Sequence, residues 1–266
     1  MFEDRTGVKL NTIEQTEYLA FAKDLALKSG NIISTNFGKT FATETKSDLS
    51  PVTAIDKQIN QLVSETIKRR YPSHGLQGEE ADLGTGDEEF QWLCDPLDGT
   101  VPFILGMPNS VFMLALTHEG RVQVSVVYDP YTDKMYSAIK GQGAFCNDLP
   151  IHVNDQPLEG GFVLLDISAY PCAKGIKAAG GRVEPVSGTG YKCMMIARGS
   201  GSGAIKFDAD YHDIGPASLI IEEAGGKVTD ITGSPMRFNK KINGAIVSNG
   251  VAHEALVRIA LEAQQG

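Results

Sequence analysis

Trp92-Leu93-Cys94-Asp95-Pro96-Leu97-Asp98-Gly99-Thr100 is the stretch on which the fold and the chemistry turn. Its apolar start reads as a short buried strand that delivers Asp95 at its end, and Pro96 stiffens the exit. Asp98 returns three residues later, so two carboxylates can converge on one point. Gly99 lets the backbone approach a ligand closely, and Thr100 offers a hydroxyl and a backbone N–H. A helix beginning here would present free N–H groups and a dipole suited to a phosphate oxygen. Taken alone, D-x-x-D-G is also an ordinary turn after a strand, so acidic partners elsewhere must decide.

Three such partners stand out, each with a plainer alternative. Glu79, in Gly78-Glu79-Glu80, follows a short segment around Leu76, where paired glutamates could equally be solvated surface. Asp213, in Tyr211-His212-Asp213, opens a helical pattern and could be a simple N-cap. Asp56, in Ser50-Pro51-Val52-Thr53-Ala54-Ile55-Asp56, could be a first-turn carboxylate favoured by the helix dipole.

Outward from this motif, apolar spacing predicts helices over about Thr12 to Asn36 and Ala54 to Arg70, with a polar loop (residues 43–51) between them. Val111 to Leu116, Val122 to Tyr128 and Lys134 to Ile139 read as an antiparallel meander, and the run from Gly141 to Asn147 as a tight hairpin. After a polar join at residues 154–161, strands alternate with helices. Strands are expected at Phe162 to Ile167, Ala204 to Phe207 and Gly244 to Ser248. Helices are expected at Gly190 to Ala197, at Asp213 to Ala224, stopped by Gly225-Gly226, and from about Val251. The expected fold class is α/β, with an α+β half (residues 1–157) and an α/β half (residues 158–266) packed together.

The chain has 266 residues and a formal net charge of −9, which argues against a nucleic-acid polymer or an anionic membrane as partner. An acidic protein can still take an anionic substrate if bound cations reverse the local field. The start of the sequence lacks the pattern of a signal peptide, no apolar run spans a membrane, and four scattered cysteines read as reduced thiols of a cytoplasmic protein.

Together the motifs resemble the inositol monophosphatase-like family of metal-dependent, lithium-sensitive phosphatases. The resemblance runs from Lys46 to the last helix. Besides the stretches already quoted, it includes Lys134-Met135-Tyr136, Gly141-Gln142-Gly143-Ala144-Phe145-Cys146-Asn147 and Glu223-Ala224-Gly225-Gly226. It implies a layered αβαβα sandwich of the sugar phosphatase type and a homodimer. It further implies two or three Mg2+ ions held by Glu79, Asp95, the Leu97 carbonyl, Asp98 and Asp213. Asp56, Glu79 and Thr100 would be catalytic, with Asp56 and Thr100 positioning or deprotonating the attacking water. Asp98, Gly99, Thr100, Lys206 and Asp213 would face the phosphate ester, the Gly99 and Thr100 N–H groups cradling the phosphate.

Two departures bear on the substrate. Val101-Pro102 stands where the family commonly has a polar residue before Phe103. Lys206, seven residues before Asp213, stands where inositol- and histidinol-type members present a glutamate. A lysine there would repel a cationic substrate such as histidinol phosphate and attract a second anionic group, although it could also be a surface lysine. The leading expectation is a small sugar or inositol monophosphate. Fructose 1,6-bisphosphate and adenosine 3′,5′-bisphosphate are alternatives, and a non-catalytic metal- and phosphate-binding module is the remote one.

Overall fold

The computed structural model describes residues 10–39, 43–45, 51–80 and 82–265. Helix α1 (Thr12–Asn36) leads through β1 (Thr43–Thr45) and β2 (Pro51–Thr53) to α2 (Ala54–Arg70). Then come β3 (Gly75–Gly78), β4 (Phe90–Asp98), the short α3 (Thr100–Ile104), β5 (Val111–His118), β6 (Arg121–Asp129), β7 (Lys134–Ile139), β8 (Ala144–Cys146) and β9 (Leu149–Pro150). The second half contains β10 (Phe162–Leu165), α4 (Ala173–Ala178), β11 (Arg182–Pro185), α5 (Thr189–Ala197) and β12 (Gly203–Lys206). It closes with α6 (Tyr211–Glu223), β13 (Lys227–Thr229), β14 (Ala245–Ser248) and α7 (His253–Ala263).

Strand alternation builds the layers, because successive side chains leave a strand on opposite faces. On one face of the first sheet, Trp92, Cys94, Leu114 and Val126 pack against α1 and α2 through Leu25, Ile33, Ile59 and Val63. On the other face, Leu93, Met113 and Val127 meet Met194 of α5 and Ile214 and Ala217 of α6. Those helices are covered in turn by Leu164, Ala204 and Val247 of the second sheet. The far face of that sheet, with Val163, Leu165, Ile205 and Ile246, packs on Ile176 of α4 and on Leu256 and Ala260 of α7. The result is the expected αβαβα sandwich.

The first sheet has the order β3-β4-β5-β6-β7-β8-β9, parallel only at β3–β4, so the predicted meander is present. The second has the order β11-β10-β12-β14-β13 and is parallel across its first three strands, antiparallel beyond. Several expectations need correction. The predicted loop at residues 43–51 holds β1 at its start and runs at its end into β2, the two pairing as an antiparallel ribbon; Lys46 lies outside the described residues. The strand expected at Phe162 to Ile167 ends at Leu165, which frees Asp166 and Ile167 from the ladder. Helix α6 starts earlier than expected, and its N-cap is Asp210 rather than Asp213. Asp213 instead closes the capping box, accepting from the Asp210 N–H at 2.6 Å. β3, α4, β11 and β13 were not anticipated: each is too short to show a period.

A buried histidine in the second half gives a stability test. His253 is fully buried between Thr229 and Ser248, its ring nitrogens 2.9 and 2.8 Å from their hydroxyl oxygens. Burial, helped by Lys227, pushes its pKa down to about 4. Between that value and the ordinary 6.5 the unfolded chain binds the extra proton, so this contribution is present above pH 6.5 and is lost as pH falls toward 4. The stability gap between wild type and His253→Gln should therefore shrink by about 2–3 kcal/mol from pH 7.5 to 4.5. Groups common to both proteins cancel in the difference. A gap independent of pH, measured by urea unfolding, would refute the neutral buried imidazole.

Candidate active site

The ends of β4, β10 and β12 and the starts of α3, α5 and α6 meet at one cleft of about 280 Å³. Glu79, Asp95, Leu97, Asp98, Gly99, Thr100, Lys206 and Asp213 all line it. Asp56 is reached from the cleft through Thr100. The structure therefore brings the predicted residues from both halves to one place.

The bend that does this lies in β4, whose register with β5 breaks between Asp95 and Asp98. A bulge of this kind re-aims side chains that a regular strand would send to opposite faces. Asp95 Oδ1 accepts the Leu97 N–H at 3.0 Å, which fixes the turn. Gly99 then takes φ +87°, with any Cβ there 3.3 Å from the Asn109 carbonyl oxygen, so glycine is required on both counts. Helix α3 follows at once. Pro102 falls in its first turn, where an N–H has no intrahelical partner to lose. The Val101-Pro102 departure therefore leaves the helix start intact.

Behind the cleft, Asp56 is fully buried at the third position of α2. One of its oxygens accepts the Thr53 N–H at 2.9 Å, and the other accepts the Thr100 hydroxyl at 3.2 Å. The same hydroxyl lies 3.2 Å from the Leu97 carbonyl oxygen. Burial raises the Asp56 pKa, and the hydrogen bonds from Thr53 oppose the rise.

The other acids repel one another. Asp95 is 3% exposed, and burial first, then Glu79, Asp98 and Asp213, hold its carboxyl well above the usual carboxylate range. Asp98 is 5% exposed, and its two oxygens accept the Thr189 and Gly190 N–H groups, each at 2.8 Å. Burial, with Asp213, still lifts it to about 6 against the pull of the Thr189 N–H, Lys206 and Lys192. Burial likewise raises Asp213, opposed by Lys206. Lys206 Nζ stands 3.5 Å from Asp208 Oδ1 and 3.9 Å from Asp213 Oδ1. Burial works against its charge, but Asp213, Asp208 and Asp166 outweigh that and raise its pKa.

These donors suit a hard divalent cation. They are carboxylate oxygens beside a backbone carbonyl, in a site with surplus negative charge. Among the described residues no three acidic, histidine or cysteine side chains already form a closed ligand set. The reason is visible in their partners. Asp98 is engaged by two amides, Asp213 by Asp210 and Lys206, and Asp95 by the Leu97 N–H. A cation would relieve the repulsion among these acids.

Sequence reading missed three participants. The amide pair at the start of α5 carries no side-chain signature. Lys192 reads as an ordinary helix lysine, yet it is 1% exposed and its Nζ lies 2.6 Å from Asp166 Oδ2. Asp166 was concealed inside a strand expected to continue. The remaining resembling motifs do structural work: Glu223 accepts the Gly141 and Gly143 N–H groups at 2.7 and 2.8 Å, tying the β7–β8 turn to α6.

Comparison with known proteins agrees with this geometry. The model of the inositol monophosphatase family matches residues 14–265. A Nus factor SuhB of Pasteurella multocida is 31% identical over 229 residues, which is 78% of this chain and 83% of that protein. A fructose-1,6-bisphosphatase/inositol-1-monophosphatase of Aquifex aeolicus is 30% identical over 256 residues, 92% of this chain and 95% of that protein. Among solved structures, an IMPase/NADP phosphatase complexed with NADP and Ca2+ is 27% identical with a TM-score of 0.83, covering 94% of this chain and 97% of that one. A match of this extent, on this fold and around this cleft, means that the chain belongs to the inositol monophosphatase family and is a phosphate monoester hydrolase.

Proposed function

We propose that the chain hydrolyses a small sugar- or inositol-type phosphate with two or three Mg2+ ions held by Glu79, Asp95, the Leu97 carbonyl, Asp98 and Asp213. The observation that carries this reading is the gathering of four acids from both halves in one cleft, directly above the Thr100–Asp56 hydrogen bond. Bound magnesium supplies positive charge that screens the phosphate and acidifies a water. The protein's own part is proton handling and orientation. Thr100 donates to Asp56, which leaves its oxygen free to accept from a water in the cleft, and Asp56 is the base behind it. Glu79 is a second acceptor on the opposite side. The Gly99 and Thr100 N–H groups, at the start of α3, hold the phosphate.

In this reading residues 1–157 and 158–266 act as two halves, the second bringing Asp213 and Lys206 to ligands carried by the first. A homodimer in the cytoplasm completes the proposal; among the described residues no helix is long and apolar enough to cross a membrane. Light scattering and cell fractionation test those two points. The names of the Aquifex relative and of the NADP-bound neighbour support phosphate esters with a second anionic group as the alternative substrates. A phosphate-release screen over sugar, inositol and nucleotide phosphates, with and without magnesium, tests the whole reading. Release from none of them would leave only a non-catalytic binding module.

Lys206 carries the substrate preference. Its side chain lines the cleft and is 18% exposed. Two charges about 4 Å apart at such a site interact by a few kcal/mol at most before screening. Lys206→Glu should therefore lower the ratio of kcat/KM for bisphosphates over neutral polyol monophosphates several-fold, and improve that for amine-bearing esters such as histidinol phosphate. The ratio cancels general damage from placing a glutamate beside Asp208 and Asp213. An unchanged ratio would reduce Lys206 to a partner of those two aspartates.

A further inference from the structure

Lys192 and Asp166 form an ion pair that fold stability alone does not explain. Lys192 projects from α5 with 1% of its side chain exposed, and donates to Asp166 Oδ2 at 2.6 Å. Asp166 is the first residue past β10 and keeps 20% of its side chain exposed, on the wall of the active-site cleft. Its other oxygen accepts the Ser168 hydroxyl at 2.7 Å. Taking such charges out of water costs several kcal/mol per ion, and apolar residues of similar volume are often as stable. Burial would raise the carboxyl, but Lys192, assisted by Ser168 and Lys206, brings it below the usual range, so it faces the cleft ionised.

We propose that Asp166 determines specificity by accepting hydrogen bonds from hydroxyl groups on the leaving part of a polyhydroxylated phosphate ester, with Lys192 as the buried counter-ion that positions it. The inference rests on the phosphatase reading and deepens it, since it names a chemical class recognised at the same site. Four points favour a hydroxyl over other ligands. A carboxylate held from behind on one oxygen and from the side on the other has its remaining lone pairs in fixed directions, and it can only accept. Lys206 lies within electrostatic reach of Asp166 and disfavours an ammonium ligand. Asp166 itself repels a second phosphate or carboxylate. Ser187 lines the same wall and can donate and accept, and Ser168, whose proton goes to Asp166, can still accept. Asp166 thus supplies the acceptor side of the wall and Lys206 the donor side.

The test compares inositol 1-phosphate with cyclohexyl phosphate, which keeps the ring and lacks the hydroxyls. In Asp166→Asn the ratio of their kcat/KM values should fall by about tenfold or more, the range expected for losing a charged hydrogen bond. The loss should appear mainly as a higher KM for the hydroxylated ester. Lys192→Met, which leaves the carboxylate unanchored, should lower the same ratio by a smaller factor. Because either single change strands a charge, the double variant Asp166→Asn/Lys192→Met is the control for folding. It removes both charges and should melt close to wild type while showing the full drop in ratio. A folded double variant with the wild-type ratio would overturn the proposal, as would a wild type with no preference for the hydroxylated ester. A wild type that turns over neither ester with magnesium would instead overturn the phosphatase reading.

Discussion

Asp95→Asn is expected to lower turnover by about a hundredfold or more while leaving the metal-free protein at least as stable as wild type. The two halves of this expectation come from the same geometry. Asp95 is 3% exposed, and burial together with Glu79, Asp98 and Asp213 holds its carboxyl well above its ordinary pKa. An amide has nearly the same shape and can still accept the Leu97 N–H on its oxygen, as Asp95 does at 3.0 Å. Its NH2 group is neutral and takes one negative charge out of the cluster. The repulsion is relieved and the fold loses nothing.

The hydrolytic site loses a hard anionic oxygen. Charge stabilisation around a transferring phosphate is worth several kcal/mol, and a hundredfold corresponds to about 2.7 kcal/mol. The opposition between stability and activity is what a strained functional site produces. The measurements are kcat at saturating magnesium and the melting temperature in chelator. Near-wild-type turnover would remove Asp95 from the metal site. A melting temperature several degrees lower would mean that Asp95 serves the fold instead.

How much of this was legible beforehand follows from what each signal consists of. The Trp92–Thr100 stretch was readable because strand, bend, glycine and hydroxyl all lie within a few residues and each constrains its neighbour. Long helices and the meander were readable for a similar reason: α1 and α2 run long enough for their apolar spacing to repeat. The second half was harder. Asp166 looked like the continuation of a strand because Leu164 and Leu165 precede it and Ile167 follows, and only the structure shows the ladder ending between them. Lys192 gave no sign of burial, since a helix sequence does not reveal which face another layer will cover. Asp213 was placed correctly as an acid at a helix start, but Asp210 took the cap. The amides of Thr189 and Gly190 belong to backbone, which exists at every position and marks none. The site was therefore legible where side-chain chemistry is concentrated in sequence, and illegible where the second half contributes through backbone or through a long-range pair.

Removal of divalent ions is expected to abolish turnover, and millimolar magnesium to restore it, with lithium inhibiting. The structure adds a readout that does not depend on catalysis. Without a cation, burial and the neighbouring acids raise the Asp95 pKa, and Asp98 is lifted to about 6 by burial and Asp213. Magnesium binding should discharge this cluster, release protons and raise the melting temperature. At a magnesium concentration about one hundred times its dissociation constant, the added stability is about 2.7 kcal/mol. The sign with pH is fixed by the direction of the shifts. Carboxyls with raised pKa values keep their protons as pH falls, so the magnesium-induced rise should be large near pH 8 and should fade below about pH 6, where Asp98 becomes protonated. Proton release, measured by titrating magnesium into weakly buffered protein, should be smaller in the Asp95→Asn variant, which lacks that raised carboxyl. If magnesium neither stabilises the wild type nor releases protons, yet turnover survives in chelator, then the acids of this cleft act without a metal. If magnesium stabilises wild type and Asp95→Asn equally, the ion binds elsewhere.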